Sequence, residues 1–171
     1  MIPIISEPRQ ILLAGMSFYG DPFDIHAGWD EENRIGELWN RWMRFLYHNP
    51  FCQNLAAEMP GFYEVHLYDE DTAEKGLFEV FVGIAIKESV LHKIPENLCL
   101  KNLPESNYAI FTLQGMDIKS DWENTIQLSL LESGLQRNDS YNFQYYDERF
   151  KGIQHIESSI LDVYIPIKNL Q

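Results

Sequence analysis

The feature that most constrains this chain is a repeat. Read for apolar periodicity, its 171 residues give strand, helix, strand, strand, and then the same four elements in the same order. ILLAGMSFYG (11–20) reads as a strand ending at Gly20, with Gly15 marking a bulge or a close backbone approach. Asp30 is placed to cap a helix over about 30–48, with an apolar stripe of Ile35, Leu38, Trp39, Trp42 and Leu46 and a stop before Pro50. YEVHLYDED (63–71) and GLFEVFVGIAIKE (76–88) follow as strands. In the second half YAIFTLQG (108–115) is a strand. Ser120 and Glu123 have capping-box spacing before a helix carrying Trp122, Ile126 and Leu130, and Gly134 can close that helix. FQYYDERF (143–150) and SILDVYIPIK (159–168) complete the set, Pro166 placing the last strand at an edge or a bulge. Segment 50–61 reads as a loop with room for one helical turn, 89–107 as a connector, and DEDTAEK (69–75) as a solvated hairpin turn.

The halves correspond piece by piece. AGMSFYG matches IFTLQG, the Trp39 helix matches the Trp122 helix, YEVHLYDED matches FQYYDERF, and LFEVFVGIAIK matches ILDVYIPIK. Asp69 and Asp147 stand 147 − 69 = 78 residues apart. Two copies make a duplication, not a solenoid. One copy alone would bury neither its helix nor its sheet. The expected fold is therefore α+β: two pseudo-symmetric βαββ modules, about 9–90 and 106–168, in one domain over 1–171. They form a curved, mostly antiparallel sheet with two helices packed on one face.

That architecture selects candidate site residues. Strand side chains alternate between faces, so Glu64, His66 and Tyr68 share one face, and Gln144 and Tyr146 share the matching face of the second copy. The duplication makes His66 and Gln144 equivalent. Two readings follow: these residues converge on a cleft between the helices, or they alternate toward solvent on an open sheet face. A cleft rich in tyrosine with a few polar groups has the composition of a small-molecule site. Trp39, Trp42 and Trp122 are core residues or, for Trp39 and Trp122, walls of the same cleft.

Other chemistry finds little support. Lys+Arg is 13 against Asp+Glu 26, a net charge of −13, which repels phosphate backbones and argues against direct nucleic-acid binding. Phosphate-loop, dinucleotide and zinc-protease motifs are missing, so neither cofactor nor metal is expected. Cys52 and Cys99 lack paired spacing and read as reduced thiols. No run has the length of a membrane span, and the start of the chain is unlike a secretory leader. The expected location is the cytoplasm.

Taken in order, LLAGMSF, GELWNRW, FEVFVGIAIKE, LPESNYAIFTLQG, SDWENTIQLSLLESG and FQYYDERF…SSILDVYIPIK resemble the GyrI-like, or AraC-type, effector-binding domains over nearly the whole chain. The resemblance implies two βαββ modules around a pseudo-twofold cleft that takes hydrophobic, frequently cationic effectors. Members often follow a DNA-binding domain; here the strands begin near residue 11, which suggests a stand-alone member. The family's cleft motif resembles F-E-x-Y-D, and aligning Tyr146 and Asp147 puts Gln144 where its glutamate stands. An amide offers hydrogen bonds but neither charge nor general acid–base chemistry. Glu64 is the candidate for a displaced carboxylate. The resulting expectation is a domain in transcription regulation or xenobiotic response that binds a neutral or weakly polar aromatic molecule. Gln144 and His66 would orient it, and Tyr19, Tyr68, Tyr146, Trp39 and Trp122 would form its walls. Two alternatives stand beside it. One is a hydrolase of strained electrophiles such as cyclopropanoids, with Glu64 or a tyrosine assisting water. The other is a protein-interaction module that binds gyrase or a transcription regulator through the acidic surface.

Overall fold

Strand residues that are apolar on both faces need two cores, and the computed structural model, which describes residues 1–26, 32–138 and 140–168, has both. The elements are β1 (Ile4–Ile5), β2 (Arg9–Gly20), α1 (Arg34–Tyr47), α2 (Pro50–Glu58), β3 (Phe62–Leu67), α3 (Thr72–Lys75), β4 (Phe78–Ala85), β5 (Cys99–Gln114), α4 (Trp122–Glu132), β6 (Tyr141–Tyr146) and β7 (Ile160–Ile167). Leu13, Val65, Phe81, Leu103, Tyr108 and Phe143 face one side of the sheet and pack together. On the other side Ala14, Val80, Val82 and Ile84 meet Leu38, Trp42 and Leu46 of α1. Phe111, Leu113, Leu161 and Val163 meet Ile126 and Leu130 of α4 on that same side. This is the α+β arrangement the pattern implies, and Trp42 is wholly core.

The strands run in the order β1-β5-β2-β4-β3-β6-β7, all pairs antiparallel. From the central β3–β6 pair the order reads alike in both directions: β4 then β2 on one side, β7 then β5 on the other. The register of that central pair sets Val65 against Phe143, and 143 − 65 = 78. The sheet also closes on itself, which periodicity did not suggest. The first half of β5 pairs with β2 (Leu103 opposite Ile11), and its second half pairs with β7 (Phe111 opposite Val163). Residues 99–107, expected in a connector, are thus strand, and Pro104 falls where the β2–β5 register shifts between Arg9 and Ile11. At the other proline, Pro166 lies past the β6–β7 ladder, with β5 as its partner.

Local expectations needed other corrections. Asp30 lies outside the described residues; α1 is capped by Asn33, whose Oδ1 accepts from the Gly36 N–H at 2.9 Å. Segment 50–61 holds a helix, with Pro50 in its first turn and Asn49 accepting from the Cys52 N–H. Residues 69–75 contain the single turn α3. The Ser120–Glu123 box does not form. Ser120 instead donates to the Asp117 carbonyl at the end of a 3-10 turn, and Asp121 precedes α4. Gly134 does close α4, at φ +68°, in the left-handed region. Among the described residues, no helix is long and apolar enough to cross a membrane.

Gly15 faces Gly83 across β2 and β4, the close approach foreseen at that position. A Cβ on Gly15 would stand 2.0 Å from the Val82 carbonyl oxygen and 2.7 Å from Cζ of Phe81. Backbone would have to move, at a cost of about 1–3 kcal/mol. Gly15→Ala is expected to melt roughly 2–12 °C below wild type in thermal unfolding. An unchanged midpoint would remove this close contact as a constraint on the fold.

Candidate functional site

The central strand pair carries the site. Glu64 lies directly opposite Gln144, and His66 follows Glu64 on the same face. Glu64 is 4% exposed and Gln144 2%. A carboxylate so deeply placed must be satisfied by hydrogen bonds. Trp39 of α1 donates its indole N–H to Glu64 Oε2 at 2.6 Å, and His66 Nε2 lies 2.8 Å from Oε1. Gln144 Nε2 donates to Oε1 at 3.2 Å, while Gln144 Oε1 accepts from the Tyr146 hydroxyl at 2.9 Å. Tyr146 lies 3.4 Å from Glu64 Oε2 as well. Gln144 is therefore a bridge between a phenol and a carboxylate. Burial, reinforced by the Glu64 charge, pushes the Tyr146 phenol well above its ordinary range, so it remains a donor.

Over this network lies a cavity of about 1190 Å³ between the sheet and the helices. Glu64, His66, Gln144, Tyr146, Tyr68, Trp39 and Trp122 all line it. Tyr19 does not. It is 52% exposed near the end of β2, beside Asp69, on the sheet face opposite the helices, and so is not a wall. The Trp39 ring meets the Tyr146 ring edge-on at 5.0 Å and Phe62 at 6.1 Å. Phe62, Phe78 and Phe150 also line the cavity and were not among the candidates. Phe62 has the same strand parity as Glu64, so alternation could have found it. Phe150 lies beyond β6, where no period applies.

The far end is polar. The Tyr68 hydroxyl accepts from Asn142 Nδ2 at 2.9 Å, and burial pushes its pKa up to about 12. The Arg137 guanidinium carbon stands 5.9 Å from the Tyr68 ring centroid, and Nη1 donates to Glu123 Oε1 at 3.2 Å. At the rim Asp147 is held by Arg149, which reaches Asp162 as well; these contacts keep the Asp147 carboxyl below its usual range and fix the turn after β6.

A family model described as "integron-associated effector binding protein" matches residues 5–167. The transcriptional regulator BrlR of Pseudomonas aeruginosa is 27% identical over 172 residues, covering 95% of this chain and 54% of that protein. The chain thus spans about half the length of this curated relative. Among solved structures, SAV2435 bound to tetraphenylphosphonium superposes with a TM-score of 0.64 at 14% identity, covering 99% of this chain and 95% of that one. An integron cassette protein from the mobile metagenome of Vibrio cholerae gives 0.53 at 17% identity, with coverages of 96% and 95%. A hydrolase from Listeria innocua gives 0.56 at 11%, with coverages of 98% and 92%. At these identities the structural likeness is one of fold.

Proposed function

The chain belongs to the family of integron-associated effector binding proteins, and from that premise we propose that its cavity binds an aromatic organic cation held over Glu64. The observation that carries this reading is the buried carboxylate at the cavity floor, with Trp39 donating to it and Tyr146 beside it. Trp39, Gln144 and Tyr146 hydrogen-bond to the carboxylate without neutralising it, so while the His66 imidazole beside it is neutral its negative charge acts in a poorly screened, aromatic enclosure. A delocalised cation gains that attraction and ring-face contacts as well. The preference for neutral ligands followed from Gln144 standing at the glutamate position. Glu64, one strand away, supplies the missing charge. Support also comes from SAV2435, a protein of the same fold that binds tetraphenylphosphonium. With BrlR a regulator, the bound state would be reported to the transcription machinery through a further domain or a partner, because this domain's net charge of −13 disfavours direct contact with DNA.

The test is a calorimetric titration with tetraphenylphosphonium, alongside its neutral analogue triphenylphosphine oxide. Saturable binding of the cation is expected, at least ten-fold tighter than the neutral compound, a gap of about 1.4 kcal/mol. Equal affinities would sink the charge argument. Gln144→Ala should weaken the cation by roughly ten-fold, because Tyr146 loses its acceptor and Glu64 loses a donor. An unchanged affinity would make Gln144 a bystander.

One observation favours a second reading. His66 and Glu64 form a carboxylate–imidazole pair on the cavity wall, an arrangement able to relay a proton to or from water. Mass spectrometry of wild type incubated with a strained cyclopropane electrophile would reveal hydrolysis product if the cavity is catalytic. Binding without product leaves the effector reading alone.

A further inference from the structure

Glu64 has one partner whose charge can change. Histidine is the side-chain type that gains or loses a proton between about pH 5 and 8. Among the described residues that line the cavity, His66 is the one imidazole. Its Nε2 lies 2.8 Å from Glu64 Oε1, and its side chain is 12% exposed, which leaves a path for proton exchange with solvent. The tautomer that suits a carboxylate keeps hydrogen on Nε2 and donates it to Oε1, so the proton gained or lost is the one on Nδ1. The groups around the ring are neutral or belong to types that keep their charge in this range. On β3, burial pushes the Tyr68 phenol up to about 12. From β6 come Asn142, directly opposite His66, then Gln144 and the Tyr146 phenol, raised well above its ordinary range. The Phe78 ring of β4 lies 5.3 Å away, and Trp39 of α1 holds the other oxygen of the same carboxylate. The remaining charged groups of the cavity lining are Asp69, Glu123, Arg137, Asp147, Glu148 and Lys151, types that stay ionised from about pH 5.5 to 8.5.

Resting on the reading of Glu64 as the cation site, we propose that His66 couples cation binding to proton release. The ligand and a proton on His66 compete for one carboxylate. With the imidazole neutral, Glu64 turns its whole negative charge to the ligand. With the imidazole protonated, Glu64 is already paired and the ligand meets a like charge on the cavity wall. Binding of the cation therefore expels the Nδ1 proton to solvent, and protonation of His66 expels the cation. The coupling is reciprocal. The complex holds fewer protons than the free domain, so affinity rises with pH and falls as pH drops. His66 is a positioning residue that acts through Glu64: it sets the acidity at which the domain carries its effector.

Tetraphenylphosphonium tests this directly, because its own charge does not change with pH. In calorimetric titrations wild type is expected to bind it roughly ten-fold more weakly at pH 5.5 than at pH 8.0. Between those limits the apparent enthalpy should differ between phosphate and Bis-Tris buffers, which take up a released proton with different heats. His66→Gln keeps a donor beside Glu64 and does not titrate. Its affinity should vary by less than about two-fold over the same range, with no dependence on buffer. The inference is overturned if wild-type affinity is level across the range, if no proton is released, or if the pH dependence survives in His66→Gln. In each of those cases the cation reading stands on the binding itself. The proton count needs wild type alone, so it decides the matter even where the variant fails to fold. Failure of tetraphenylphosphonium to bind at every pH overturns both readings.

Discussion

Glu64→Gln is expected to weaken tetraphenylphosphonium binding by about 100-fold, or ~2.7 kcal/mol, with the fold retained. The substitution keeps shape and removes charge. Two unit charges 4 Å apart attract by about 4 kcal/mol at an effective dielectric constant of 20, and the cost of shedding water offsets part of this. The amide oxygen can still accept from Trp39, so the packing of α1 over the strand pair persists. Its N–H groups would face His66 and Gln144, and the Gln144 amide can turn to offer its oxygen. Calorimetry gives the affinity and thermal unfolding the fold. Undiminished affinity would remove Glu64 from the site. Lost affinity with a midpoint more than about 10 °C lower would assign Glu64 to stability instead.

The second large effect lies on the other face of the same strands. Phe143→Ala should cost about 3–5 kcal/mol, a fall of roughly 6–20 °C for a chain of this length. Phe143 is 1% exposed and stacks on Tyr164, with centroids 4.6 Å apart and planes at 13°. Tyr108 and Tyr63 close on it at 5.3 and 5.4 Å, and it pairs with Val65 in the central β3–β6 pair. Neighbours fixed by sheet hydrogen bonds cannot collapse into the gap, which places the cost high in its range. Phe143→Leu should lose about a third as much, since most of the volume stays. Equal losses for Ala and Leu would point to ring stacking, not the void, as the source.

Much of the cavity lining is legible in the sequence because strand parity is a strict rule. Glu64, His66, Gln144 and Tyr146 share a face in the sequence and share a cavity in space. The same rule applied to β2 excludes Tyr19, since Leu12, Ala14, Met16 and Phe18 are the residues that face α1. The pairing of Glu64 with Gln144 was hidden for a different reason. An offset of 78 residues aligns His66 with Gln144, whereas antiparallel register sets Glu64 across from it, and register between distant strands leaves no local mark. The strand at 99–107 was hidden by its composition. Lys101 shares the face of Leu103 but is held there by an ion pair with Glu79, Asn102 and Glu105 are exposed, Leu103 alone of that run is buried, and Pro104 occupies a register shift where its missing N–H costs little. Each of these departs from the alternation expected of a half-buried strand.

The closed ring also sets a timetable for biosynthesis. Strand β5 can pair with β2 once it is made, but β7, the last strand of the sheet, pairs with both β5 and β6, so those two seams stay open until residue 167 has left the ribosome. Contacts this distant in sequence form slowly, and a chain waiting for them shows unpaired edges to its surroundings. A nascent chain stalled before β7 would expose the second edge of β5 and one side of β6 together. Its hazard would be greatest just before β7 emerges, when most of the sheet's apolar surface is made and its last strand is still inside the exit tunnel.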